Sequence, residues 1–168
     1  MAKLVCSDDN KDPSSEVSFS LNLGEKFHGK NFKDESINEL WQRFSLEFKS
    51  GLKTVSFNTD AKEASEVKGL FCLNLSPTNE IKQLRENIEK FLDDDSQDKL
   101  VFETIEPSFE LVIEKAHAGA FKVYAWVDAG NTSTIIYTWD ALGLRFMTDR
   151  NKIEMFISEL SCQIEDQL

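Results

Sequence analysis

The strongest constraint in this chain is a change of hydrophobic period. Val17, Phe19, Leu21 and Leu23 alternate with Ser18, Ser20 and Asn22, the two-residue period of a strand with one buried face. Gly24 closes that run. Alternation returns at Phe44, Leu46 and Phe48 and, beyond a turn at Ser50–Gly51, at Val55 and Phe57, the pattern of a hairpin. It returns at 70–75, with Phe71, Leu73 and Leu75 on one face, and at 100–105, 109–115, 121–128, 133–139 and 142–147. Twice the period lengthens. Ile81, Leu84, Ile88, Phe91 and Leu92 form the stripe of a helix that Ser76 caps and Pro77 opens. Ile153, Phe156, Ile157, Leu160 and Ile164 form the stripe of a terminal helix beginning at Asp149. A third, short helix is expected from Asp34, with Ile37, Leu40 and Trp41 on one face. Connections this short cannot make parallel crossovers. The fold expected is α+β, antiparallel β-sheet with two main amphipathic helices on one side.

The pattern also contains an internal echo. Phe44–Phe48 matches Phe109–Ile113, Thr59–Ala61 matches Val127–Ala129, and Gly69–Leu70 matches Gly143–Leu144. The helix beginning Asn79–Glu80–Ile81 matches the one beginning Asn151–Lys152–Ile153. Two β-β-β-α units follow, with half-repeats at 40–95 and 100–166. Residues 1–15 are polar and aperiodic and read as an N-terminal tail. Residues 16–168 then make a single domain, which the chain length of 168 suits.

Charge narrows the partners. Nineteen basic against thirty acidic side chains give −11, with a pI near 4.7. Residues 1–84 carry 11 basic and 13 acidic side chains, and residues 85–168 carry 8 and 17. A nucleic-acid binder needs a cationic face for phosphates, and an anionic membrane needs the same, so neither is expected as a partner. Cys6, Cys72 and Cys162 are odd in number and form no metal-ligand spacing, which points to cytoplasmic thiols. No run is apolar enough for a signal sequence or a membrane span.

Catalytic chemistry finds few footholds. His28 and His117 lie in expected loops, and nothing in their spacing asks for a partner such as Cys72 or Cys162. There is no GxSxG elbow and no glycine-rich phosphate loop. Asp93–Asp98 fails as a calcium loop, since its sixth and twelfth positions hold Asp98 and Thr104 rather than Gly and Glu. The pairs Glu103/Glu106 and Glu110/Glu114 define no carboxylate dyad. No catalytic residue, metal site or cofactor is therefore assigned. Tyr124 and Trp126 oppose the parity of Val123, Ala125 and Val127, as Tyr137 and Trp139 oppose that of Ile136. Helices either cover that second face or leave it as an aromatic anchor for a protein partner.

Leu100–Leu111, reading LVFETIEPSFEL, resembles a mid-chain stretch of bacterial toxin immunity proteins, particularly those of wall-associated and contact-dependent growth-inhibition systems. That family often shows a strand, a TEPN-like turn and an FEL strand. Here Ile105 is inserted, and Ser108 stands where Asn is usual. The helix before this stretch and the strand–turn–helix ending extend the likeness over about residues 40–166. The resemblance implies an α+β fold, no catalysis, and a one-to-one complex with a cognate toxin C-terminal domain. It supplies no family-wide residues to carry over. A basic toxin, such as a nuclease, would meet an acidic surface, for which Asp93, Asp94, Asp95, Asp98, Tyr124, Trp126 and Trp139 are the candidates. A monomer is expected. Two alternatives stand beside this one: a type III secretion-like chaperone holding an effector segment, and a curved-sheet enzyme or ligand-binding barrel using a histidine or the Asp cluster.

Overall fold

The computed structural model describes residues 1–6, 15–30, 38–58, 72–76, 78–105, 109–128 and 141–166. Among them are two antiparallel sheets and two helices, the expected α+β class. The first sheet comprises β1 (Ala2–Val5), β2 (Val17–Lys30), β3 (Asn38–Ser50), β4 (Lys53–Phe57) and β5 (Cys72–Ser76). Their order is β1-β2-β3-β4, and β5 continues along the same edge of β3 that β4 occupies further on. Helix α1 (Glu80–Asp93) follows. The second sheet is a meander of β6 (Lys99–Glu103), β7 (Phe109–Lys115), β8 (Ala120–Asp128) and β9 (Ala141–Asp149), and helix α2 (Arg150–Glu165) ends it.

Register explains which side chains go inside. Leu4, Phe19 and Phe48 stand opposite one another across β1, β2 and β3, as do Ala2, Leu21 and Leu46. Phe102, Leu111, Ala125 and Leu144 do the same across the second sheet. Because side chains alternate between faces, both sheets present one apolar face inward. Those faces meet each other and both helices in one continuous core. Phe109 of the second sheet packs against Phe19 and Phe44 of the first, at ring-centroid distances of 6.2 and 5.4 Å. Phe156 of α2 touches Phe19, and Phe91 of α1 touches Phe121.

Four expectations change. The tail reading fails for residues 2–5, because β1 pairs with β2 and fully buries Ala2 and Leu4. The backbone amide of Lys3 also donates to Glu159 Oε2 of α2 at 2.7 Å. The short helix from Asp34 is contradicted where it can be seen: Asn38–Trp41 opens β3, and Trp41 stands opposite Phe27. Strand β2 does not stop at Gly24; the register slips between Leu23 and Lys26 and pairing resumes to Lys30. Helix α1 begins later than Ser76, with Asn79 as its cap accepting from the amide of Lys82 at 2.9 Å. The Asp149 start of α2 is as expected, with its side chain accepting from Lys152 N. The strand expected at 133–139 lies outside the described residues.

Each half holds a four-strand meander and ends in a helix, but in the first half β5 returns to pair with β3 before α1, and that half reaches back to Ala2 rather than beginning at 40. Matched by position in the sheet, β3 corresponds to β8 rather than to β7, because each is the third strand of its meander. The Phe44/Phe109 equivalence therefore aligns strands of different topological rank.

Candidate functional site

The expected partner-binding residues fall into two places. Asp93, Asp94, Asp95 and Asp98 lie where α1 runs into β6. Much of that charge is already engaged. Arg150 donates from Nη2 to Asp93 Oδ1 at 2.9 Å and from Nη1 to the Leu92 carbonyl at 2.8 Å. Lys115 Nζ donates to the Asp94 carbonyl at 2.6 Å, lies 3.9 Å from Asp95 Oδ1 and sits over the Phe91 ring. The Asp94 carboxylate accepts from Oγ and the backbone amide of Ser96, which hold it below the usual carboxylate range. Helix α1 therefore ends on two cations supplied by other elements, Arg150 of α2 and Lys115 of β7. Asp98 is exposed, and its carbonyl accepts from Lys115 N at 2.8 Å.

Tyr124 and Trp126 lie elsewhere, on the face of the second sheet that turns away from the core. The helices pack on the opposite side, so among the described residues this face carries no covering element. Its rows follow from the strand register. Val101, Val112, Tyr124 and Arg145 form the central row. Lys99, Glu114, Lys122 and Met147 lie toward the Asp98 end, and Glu103, Glu110, Trp126 and Gly143 toward the other. Trp126 is 38% exposed, Met147 40% and Val101 50%. They stand in three different rows, linked across the sheet by the half-buried Tyr124 and the buried Val112, with charged side chains between and around them.

The indole of Trp126 does not stand up from the sheet. A Cβ placed on Gly143 would fall 2.1 Å from its Cε3 atom, so the ring lies flat over the glycine on the neighbouring strand. One ring face rests on backbone, and Trp126 remains exposed at the sheet surface. Tyr124 is half-buried beside it, with its hydroxyl 3.4 Å from Glu114 Oε2; Glu114 also pairs with Lys99 at 3.4 Å.

The sequence pairs Glu103/Glu106 and Glu110/Glu114 define no carboxylate dyad, and Glu106 lies outside the described residues. In fact Glu103, Glu110 and Glu114 share the outer face, and Glu103 and Glu110 are directly opposed. The hairpin register between β6 and β7 makes that pair, and parity within each strand was its only sequence signal. Lys122, Arg145 and Gly143 were missed for the same reason. Four residues of strand, about 13 Å, separate the Trp126 row from the Lys99 row. The Asp run and the aromatics therefore do not form one compact patch. Trp139 and Tyr137 lie outside the described residues.

Elsewhere, His28 is exposed on β2 and His117 in the turn between β7 and β8. The cysteines form no disulfide, and among the described residues no group of three or more His, Cys, Asp or Glu side chains is placed to hold a metal. Glu39 and Glu80 are buried carboxylates joined through Asn74. Asn74 Nδ2 donates to Glu39 at 2.9 Å and its backbone amide to Glu80, which also accepts from Ile105 N at 2.6 Å. This network fastens β5, α1 and the end of β6 together. No helix of the described residues is long and apolar enough to cross a membrane.

No family model and no curated protein matches this chain. Among solved structures it is similar to a chain in the structure of a guideRNA-binding protein complex bound to a gRNA, at 9% identity, a TM-score of 0.35, and 84% and 88% coverage of the two chains. So distant a superposition carries no functional argument.

Proposed function

We propose that this protein is a non-catalytic binding domain that neutralises a bacterial toxin domain, with the outer face of the second sheet as its contact surface. The observation that supports this reading is the uncovered Val101–Tyr124–Trp126–Met147 patch, anchored by a ring lying over Gly143. Exposed aromatics on a rigid sheet lose little conformational freedom on binding and are the residue types that dominate protein interfaces. A patch of about 800 Å² per partner suffices for a stable one-to-one complex. The toxin-immunity class comes from the resemblance at Leu100–Leu111, and the overall charge of −11 favours a basic partner, by long-range steering. The interior of a cytoplasm is the compartment this proposal requires.

The test is co-expression with the variable C-terminal domain of the large polypeptide encoded beside it. Rescue of growth and a one-to-one complex by light scattering are expected. Absence of both rescue and complex would sink the proposal, and a stable homodimer holding an unfolded segment would favour the secretion-chaperone alternative.

A further inference from the structure

Strand β6 ends the second sheet, and among the described residues no strand pairs with its outer edge. The first sheet is closed differently at β1, where Glu159 of α2 accepts the Lys3 amide. At β6 the backbone can be followed group by group. Lys115 N donates to the Asp98 carbonyl at 2.8 Å, and Thr104 N to the Phe109 carbonyl at 3.4 Å. Main-chain groups alternate in direction along a strand, so Leu100 and Phe102 also turn toward β7. Lys99, Val101 and Glu103 therefore turn their N–H and C=O groups to the open edge. Two neighbours bound this stretch: Gln97 Nε2 donates to the Lys99 carbonyl at 3.0 Å, and Ile105 N donates to Glu80 at 2.6 Å. The side chains of Lys99, Val101 and Glu103 are exposed. An edge of this kind is a template for another strand.

We propose that this edge pairs with β6 of a second copy of the chain, antiparallel about a two-fold axis at Val101. Lys99–Leu100–Val101–Phe102–Glu103 is its own complement in that arrangement. With Val101 opposite Val101 of the second copy, Lys99 stands opposite Glu103 at both ends. The outward main-chain groups match as well. Val101 exchanges N–H and C=O with its counterpart, and the Lys99 amide meets the Glu103 carbonyl. Charge selects a second copy over strands in general. Glu103 faces Glu110 within the chain, and like charges so opposed are unfavourable. The second copy brings Lys99 to the other side of Glu103. Lys99 then lies between its own Glu114, 3.4 Å away, and the incoming Glu103. Val112 and Val101 meet the same two residues of the second copy, so the central row continues across the seam. A slip of one residue breaks both the charge match and the main-chain match. Strand β4, another edge, carries Lys53 and no acid to answer it. The product is a continuous sheet with four strands from each chain. The contact is short and reversible, so the expected monomer is the form at high dilution. Tyr124 and Trp126, on β8, stay clear of the seam.

The purified full-length chain is tested alone, so the outcome does not depend on the toxin reading. Sedimentation equilibrium from micromolar to millimolar protein should show a reversible monomer–dimer equilibrium. Physiological salt is used, because it screens the repulsion between two chains of net charge −11. Lys99→Glu and Glu103→Lys each set like charges opposite one another at both ends and should weaken the dimer by roughly tenfold. Mixed in equal amounts, these two variants again place opposite charges at both ends and should recover a dimer of the original strength. Val101→Pro removes an outward amide, so it should retain the fold, read as an unchanged circular dichroism spectrum, and lose the dimer. Amide exchange at Val101 should slow as concentration rises, while that at Phe102, already turned to β7, should not change. A chain that stays monomeric to millimolar concentration would overturn the proposal. So would a dimer that Lys99→Glu leaves intact, or one that the mixture of variants fails to restore. Toxin neutralisation by a strictly monomeric chain would end this inference and leave the proposed function standing; a β6 dimer without neutralisation would do the reverse.

Discussion

At the scale of single residues, the site depends on an absence. Gly143 has no side chain, and that vacancy is what the Trp126 ring occupies. Gly143→Ala is expected to lift the ring off the sheet, shifting Trp126 emission to the red, with a stability change under about 1 kcal/mol because the ring can swing into solvent. Unchanged emission would show that the ring does not lie where the glycine permits. A second residue-scale effect concerns Glu16, which pairs with Lys3 at 2.6 Å and Lys49 at 3.2 Å. The hydrogen bond from Lys3 holds its carboxyl below the usual range, against a smaller opposing effect of burial. A depressed folded-state pKa contributes stability above the ordinary carboxylate range and loses it as pH falls through the folded value. Glu16→Gln should therefore cost up to about 1 kcal/mol at neutral pH, given the partial exposure, and nothing in strong acid. Denaturant melts of both proteins across that pH range check this. Trp126 was legible in the sequence through its parity against Val127. Gly143 was not, because its partnership exists only once β8 and β9 are in register.

At the scale of elements, helix stripes were read well and strand ends poorly. Every residue of the Ile81–Leu92 stripe is buried, because a helix writes its buried face into its own spacing. Strand β1 gave no such signal, since four residues are too few to establish a period and the polar stretch behind them dominates. Its worth lies in its partners: β2 on one side and α2 against it. Leu4→Ala is expected to cost about 2–5 kcal/mol, measured by urea unfolding, whereas a free tail would tolerate it. The Glu80 carboxylate similarly serves elements other than its own, accepting from the amides of Asn74 and Ile105. Glu80→Ala leaves both amides without that acceptor and should cost about 2–4 kcal/mol. A drop in melting temperature of only a degree or two would refute that role. The helix expected from Asp34 shows the opposite failure. Leu40 and Trp41 fit either period, and pairing with β2 decided for strand.

At the scale of the whole molecule, two meander-plus-helix halves share one core, and Phe109 stands where they meet. It contacts Phe19 and Phe44 across the sheets and Phe102 within its own. Phe109→Ala is expected to cost about 3–5 kcal/mol and to lower the stability of both sheets together. Hydrogen exchange that weakened only the second sheet would show that the halves unfold separately. The sequence by itself determined the α+β class, the antiparallel pairing, the two amphipathic helices and the net acidity. Each of these is carried by local spacing or by composition. Only the tertiary structure decided that Asp93 meets Arg150 while Glu103 and Glu110 face each other across β6 and β7. Strand register places Glu103 opposite Glu110, and chain folding brings Arg150 to Asp93 across 57 residues. A charge count cannot contain either fact, because the field at a surface depends on which charges have already met.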